Sequence, residues 1–425
     1  MTRYRWISVI LVLAMTAGLC SYGASREASD SVPVSVSSPD ELPASSPEPE
    51  RTALPLAEAA SGFDLRTIVS GKNRADCDFT EKALEYLTEI GELFPNRSIL
   101  DDGGENTHDA FGDWLLAELA ACGYPAAQIE EQSFSGRSFS GEKVQGRNMI
   151  LTVPGQSGKG QIIVGAHYDG DGVGDNGSGV ALLLATAAGL SKAEPQLTIK
   201  YIFFDGEEEG LLGSWYYAEH MSAEEVASTV YMINLDALAF GDFCCIYGGV
   251  YGDDYDAGYI ELSEGEPLPA PEHTEGYTFA ADIAEALGFR VYRTEDLDGY
   301  YAAHGNGMDP EDAFFTNPWT NANPAPSNMI APSPATFGAS DHTGFAVRGI
   351  PYIYFEATNW WAEGTDQYSA FTGYIETYDA ALGAGGQFMN TDYDTLEQLQ
   401  QCFPGRAEQH YRLFSPLLSA LLLVE

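Results

Sequence analysis

The chain has 425 residues, with 20 Lys and Arg against 63 Asp and Glu and a net charge of −43. A surface this acidic repels phosphate backbones and excludes nucleic acid as the expected partner. A hydrophobic content of 44% with 12% aromatics excludes a disordered polyelectrolyte, so the charge coats a folded body of one large domain or two ordinary ones.

Residues 1–24 read as an export signal. Arg3 and Arg5 supply the positive start, Ile7 to Ala14 a short apolar run, and Ala17, Gly18 and Leu19 precede Cys20. That run is too short to hold the mature chain across a bilayer. Small residues ending in Cys resemble a bacterial lipoprotein signal, although Leu19 departs from the pattern. Two outcomes stand: a lipid anchor at Cys20, or plain secretion or other envelope retention. Residues 25–60 are Ser, Pro, Glu and Ala with hardly a large apolar side chain, and are expected to form a flexible tether. The folded part is expected over 61–425. Besides Cys20 in the signal, the chain holds Cys77, Cys122, Cys244, Cys245 and Cys402, with no zinc-finger spacing. One disulfide through Cys77 or Cys122 would suit an oxidising compartment.

Within the folded part, apolar residues recur at helical spacing from Cys77 to Leu93 and again from Thr107 to Cys122, where Gly123 is a natural stop. Asn148 to Val153 and Gln161 to Ala166 are short apolar runs bounded by Gly and Pro, as strands are. Gly177 to Leu190 suits a buried helix, Leu197 to Phe204 a strand, Leu211 to Met221 a helix and Val230 to Leu235 a strand. Strands alternating with helices predict an α/β fold: a mixed, mostly parallel central sheet with helices on both faces. From about 240 to 339 the pattern loosens into a loop-rich excursion around one helix, Tyr277 to Leu287, and Pro310 to Pro334 is almost pure loop chemistry. A strand returns at Gly349 to Glu356, and the apolar run Leu413 to Val424 predicts a buried closing helix.

Five pieces fall at strand ends or in loops, where open α/β sheets place ligands: His167-Tyr-Asp169, Asp175-Asn-Gly-Ser-Gly, Glu207-Glu208, Asp236 and Asp341-His342. Asp169 is close enough to accept the second ring N–H of His167 and fix its tautomer. Asp175 opens a Gly-rich turn, and a carboxylate there can bridge two cations. Adjacent Glu207 and Glu208 diverge, so one can bind metal while the other faces a water. Imidazole with several carboxylates suits two divalent cations sharing one acid, and nitrogen ligands favour zinc. His108, His220, His273, His304 and His410 read as ordinary surface or core histidines.

The strings GAHYDG, GDNGSGVALLLATA, FFDGEEEGLLGS, INLDAL and SDHTGF, in that order, resemble the successive motifs of the zinc exopeptidase superfamily (metallopeptidase clan MH). That group includes bacterial leucyl aminopeptidases, aminopeptidase Y, glutamate carboxypeptidase and glutaminyl cyclase. The resemblance covers roughly Asp76 to the C-terminus and ends in NTDYDTLEQL. It implies two Zn2+, one held by His167 and Asp236 and the other by Glu208, with Asp175 bridging. Glu207 would be the general base and Asp169 the partner of His167. The superfamily's last ligand is a His in the closing segment, and Asn390 stands there. An amide oxygen binds zinc more weakly than imidazole, so the fifth ligand is open between Asn390 and His342, or the second site is partly filled.

The chemistry implied is hydrolysis of peptide substrates: Glu207 takes a proton from an activated water and returns it to the leaving amine. Phe337, Tyr352, Tyr354, Trp360 and Trp361, with Tyr300 and Tyr301, are candidates for a hydrophobic substrate pocket. Arg348 and Arg293 are candidates for binding a substrate carboxylate. An exported aminopeptidase is expected first. A glutaminyl cyclase or carboxypeptidase-like enzyme comes second, and a non-catalytic binding domain third.

Overall fold

Strand β3 (Gln161–His167) is buried at all seven of its residues, as a strand must be that has a sheet on either side and helices above and below. Its neighbours are β4 (Thr198–Phe204) and β5 (Thr229–Leu235), both parallel to it. The molecule is seen as a computed structural model that describes residues 77–100, 106–241, 243–249, 259–261, 275–293, 313–316, 330–332, 340–358, 388–389 and 391–424. The export signal, Cys20 and the tether lie outside the described residues, as do Asn390, Tyr300, Tyr301, Phe337, Trp360 and Trp361.

Two helices open the described chain, α1 (Thr80–Leu93) and α2 (His108–Ala121). Strands β1 (Ile129–Arg137) and β2 (Lys143–Val153) then pair antiparallel, and β2 joins β4. After β3 comes α3 (Gly177–Gly189); α4 (Leu212–His220) and α5 (Ala223–Ser228) link β4 to β5. Beyond β5 lie β6 (Phe243–Gly249), β7 (Tyr259–Glu261), α6 (Glu275–Ala286), β8 (Arg290–Tyr292), β9 (Ala313–Thr316) and β10 (Ile330–Pro332). The chain closes with α7 (Thr343–Val347), β11 (Tyr352–Thr358), α8 (Leu396–Cys402) and α9 (Arg406–Leu422). Nine strands form one mixed sheet in the order β1-β2-β4-β3-β5-β11-β6-β9-β8, and β7 pairs with β10 apart from it.

Alternate residues of β3 point to opposite faces and explain the layering. Ile162, Val164 and Ala166 enter a large core with α1, α2, α3, α6 and α9, whereas Ile163 faces a smaller one with Tyr217 and Ala218 of α4 and Phe345 of α7. Helix α3 (GSGVALLLATAAG) has eleven buried residues, Gly177 through Ala187, because it lies between the sheet and the outer helices α1, α2 and α9. Gly165 of β3 is fixed by its neighbour: a Cβ there would come within 2.2 Å of the Phe204 ring.

Several expectations needed correction. The excursion at 240–339 contributes β6, β9 and β8 to the main sheet, and Pro310–Pro334 contains β9 and β10 rather than loop alone. These strands run only three to seven residues between Gly-, Pro- and acid-rich stretches, so their alternation is too brief to register. The closing helix begins at Arg406, not at the apolar run, since its first turns carry charge on the outer side. Cys122, Cys245 and Cys402 are free thiols, which removes Cys122 as a disulfide half.

Candidate metal centre

Three strand ends and one helix start supply the site. His167 is the last residue of β3, Glu207 and Glu208 lie in the turn after β4, Asp236 follows β5, and Asp175 stands just before α3. All five residues lie at or beyond the carboxyl ends of parallel neighbours or on the loop that leaves β3, the usual ligand edge of an open α/β sheet.

Local sequence builds each position. After β4, Gly206 (φ 71°) and Gly210 (φ 112°) make a tight turn in which the N–H groups of Gly210 and Leu211 both donate to the Glu207 carbonyl. Asn176, joined to Asp175 by a cis peptide bond, caps α3 by accepting the Gly179 N–H at 2.9 Å and donates to the Leu235 carbonyl at 2.8 Å. That single side chain therefore ties the Asp175 loop to the end of β5. Asp236 is oriented by Ser340, whose hydroxyl donates to Oδ2 at 2.6 Å and accepts from Asn234 at 2.8 Å. Ala237 follows at φ 52°, a left-handed conformation next to a site residue.

The side chains converge. His167 Nε2 lies 3.1 Å from Asp175 Oδ1 and 3.4 Å from Asp236 Oδ1. Ligand atoms of His167, Asp175 and Asp236 all fall within 4.8 Å of one another, as do those of His167, Glu207 and Glu208. Two overlapping groups thus share one imidazole. His167, Asp175 and Asp236 are buried and the two glutamates half-buried. Asp169 is fully buried; its Oδ1 lies 3.6 Å from His167 Nδ1, beyond hydrogen-bond range, while its two oxygens accept the backbone N–H groups of Glu207 at 3.0 Å and Glu208 at 3.3 Å.

Charge crowding sets the protonation tendencies. Burial raises the Glu207 pKa well above the ordinary carboxyl value; His167 opposes this, and Glu208 and Asp236 reinforce it. Burial and Asp175 do the same to Glu208. Burial disfavours the His167 cation, but Asp236 and Glu207 prevail and raise its pKa well above 6.5. Asp341, buried beside these acids, is pushed up to about 7, chiefly by burial.

Donor chemistry tests whether cations fit here. His167 Nδ1 and Nε2, Asp175 Oδ1, Glu208 Oε1 and Asp236 Oδ1 are all buried without a hydrogen-bond partner. Orphaned buried oxygens and nitrogens in one place are costly unless something binds them, and one imidazole with three carboxylates matches the ligands zinc takes.

His342 is in neither group. It stacks between Tyr352 and Tyr354, with ring centroids at 4.5 and 4.9 Å, and burial lowers its pKa to about 3. Arg293 is paired with Asp282 and Glu285 on the surface, and Arg348 donates to the carbonyls of Ala218, Glu219 and Met221. Both guanidinium groups are thus engaged within the fold. Sequence reasoning missed three groups around the site. His108 donates to or accepts from Asp205 at 2.7 Å; Arg97 is wholly buried; Asp394 binds backbone next to Asp175.

Residues 148–260 match the model of peptidase family M28. The matched stretch contains His167, Asp175, Glu207, Glu208 and Asp236. Among curated proteins, the chain is similar to leupeptin-inactivating enzyme 1 of Streptomyces exfoliatus, at 28% identity over 207 residues, 45% of this chain and 43% of that protein. It is also similar to an aminopeptidase of Pseudomonas aeruginosa, at 38% identity over 95 residues, 21% of this chain and 17% of that one. The match therefore spans less than half the length of either relative. Among solved structures, a glutaminyl cyclase from an Acidobacteriales bacterium aligns with 81% of this chain and 95% of its own, at 17% identity and a TM-score of 0.49.

Proposed function

We propose that this M28 domain is a two-zinc aminopeptidase, exported from the cytoplasm, that removes N-terminal residues from peptides. The observation that carries the reading is the convergence of His167, Asp175, Asp236, Glu207 and Glu208 with five buried, unpartnered donor atoms. His167 and Asp236 would hold one cation, Glu208 the other, and Asp175 would lie between them; Asn390, outside the described residues, is the remaining candidate ligand. Such cations supply a water of lowered pKa and polarise a carbonyl. The protein's own part is positional and protic. Glu207, half-buried and held by the Asp169–backbone hydrogen bond, takes the proton of the attacking water and passes it to the departing amine. Burial, with Glu208 and Asp236 close by, raises its pKa above the ordinary carboxyl value. The similarity to an aminopeptidase and to a leupeptin-inactivating enzyme supports the substrate class. Export rests on the character of residues 1–24, with a lipid anchor at Cys20 as its variant.

Hydrolysis of aminoacyl-p-nitroanilides beside their N-acetylated counterparts, with and without a chelator, tests this. Cleavage restricted to free amines and lost on chelation is expected. Cleavage of blocked substrates, or ring closure of an N-terminal Gln with release of ammonia, would replace the aminopeptidase reading with the carboxypeptidase-like or cyclase one. Inertness towards all of them in the zinc-loaded protein would leave a binding domain.

A further inference from the structure

The loop that carries Asp175 runs from Tyr168 to Asn176 and is held from both sides by buried charge. On one side is Arg97, which has no accessible surface. Its Nε donates to the Tyr168 carbonyl at 3.1 Å, its Nη2 to the Gly172 carbonyl at 2.6 Å, and its Nη1 to Phe94 at 2.8 Å. Its backbone N–H donates to Gly170 at 3.0 Å, and its guanidinium lies over the Phe111 ring of α2. On the other side is Asp394, from the segment before α8. Its Oδ1 accepts the Gly174 N–H at 2.5 Å, its Oδ2 the Asp175 N–H at 3.0 Å, and its carbonyl the Val173 N–H at 3.1 Å. Gly172 is the point of closest approach: a Cβ there would come within 2.2 Å of Asp394 Oδ2 and 2.3 Å of the Asp175 carbonyl.

A buried guanidinium and a buried carboxylate usually meet in an ion pair, since each alone is expensive. Here two of the three guanidinium hydrogen bonds, and both of the carboxylate's, go to the loop backbone. The cation takes carbonyls, the anion takes N–H groups, and the peptide dipoles between them link the two charges. This arrangement holds backbone atoms on both sides of Gly172 and leaves the Asp175 side chain to face His167.

We propose that Asp394 and Arg97 are positioning residues, which clamp the 168–175 loop between a buried anion and a buried cation and so set the Asp175 carboxylate for metal binding. The inference rests on the reading that Asp175 is a metal ligand. Ligand-orienting groups of this kind change metal affinity by about 10–100-fold.

The test is Co2+ titration of the metal-free full chain, followed by visible absorption, for wild type, Asp175→Asn, Asp394→Asn and Arg97→Lys. Asp394→Asn turns an NH2 towards at least one backbone N–H; Arg97→Lys cannot reach two loop carbonyls with one fork. Expected are weakened binding for Asp175→Asn and, for the two clamp variants with native near-UV circular dichroism, at least about ten-fold weaker Co2+ binding with an altered ligand-field spectrum. Wild-type affinity and spectrum in Asp394→Asn, with Asp175→Asn impaired, would overturn the clamp while leaving the ligand reading intact. Wild-type binding in Asp175→Asn would overturn the ligand reading itself. Should the clamp variants not fold, amide exchange in the metal-free wild type decides. Slow exchange at Gly174 and Asp175 is expected, and exchange as fast as in an exposed loop would overturn the proposal.

Discussion

The Asp169 carboxylate holds the turn after β4: one oxygen accepts the Glu207 N–H at 3.0 Å, the other the Glu208 N–H at 3.3 Å. One residue from the loop after β3 thus fixes the backbone of both glutamates after β4, at a distance of 3.6 Å from the His167 ring. Asp169→Asn replaces one acceptor by a donor facing a backbone N–H. The expected result is a drop in kcat/KM of about ten-fold or more. A steady-state comparison at saturating zinc checks it, and wild-type kinetics would count against this role.

Glu207→Gln preserves shape and removes the base. Metal content should remain that of wild type while kcat falls by about 10²–10⁴-fold. Metal analysis of the purified variant together with its turnover separates the two effects; near-normal turnover would reject Glu207 as the base.

Metal removal should loosen the domain. Without cations, the buried atoms of His167, Asp175, Glu208 and Asp236 have no hydrogen-bond partner. Any ion that binds the folded form and not the unfolded chain stabilises by mass action, by about 2.7 kcal/mol at a hundred-fold excess over Kd. A chelator should therefore lower Tm, and added zinc should restore it. An unchanged Tm would argue against a resident ion.

The His108–Asp205 contact predicts a pH dependence of stability. Burial works against the His108 cation, but the hydrogen bond to Asp205 and its charge prevail and raise the pKa above 6.5. A histidine raised on folding contributes stability that is complete below about pH 6.5 and is lost as the pH rises through the higher folded value. Urea midpoints across pH 6 to 9 should fall more steeply in wild type than in His108→Gln. Parallel curves would show that the pair does not titrate in this range.

Much of the centre was readable from the chain because its residues end strands. His167, Asp175, Glu207, Glu208 and Asp236 each follow or precede a run whose β or helical character is plain, and the order of those runs fixes which edge they share. Residues acting through backbone were not readable. Arg97 and Asp394 touch peptide groups, and no spacing rule ties an arginine before α2 to an aspartate before α8. His342 is a different case: SDHTGF offers an imidazole, but spacing does not reveal that it stacks with two tyrosines of β11. In the fold, β1 (IEEQSFSGR) passed unnoticed because an edge strand with one buried residue needs little apolar character.

The bond between Asp175 and Asp394 also has a bearing on synthesis. The two residues are 219 positions apart. A ribosome releases every one of His167, Asp175, Glu207, Glu208 and Asp236 well before the aspartate that grips the Asp175 loop. A nascent chain therefore carries the acids of the candidate centre without the grip, and the centre is complete only once the segment before the last two helices has emerged.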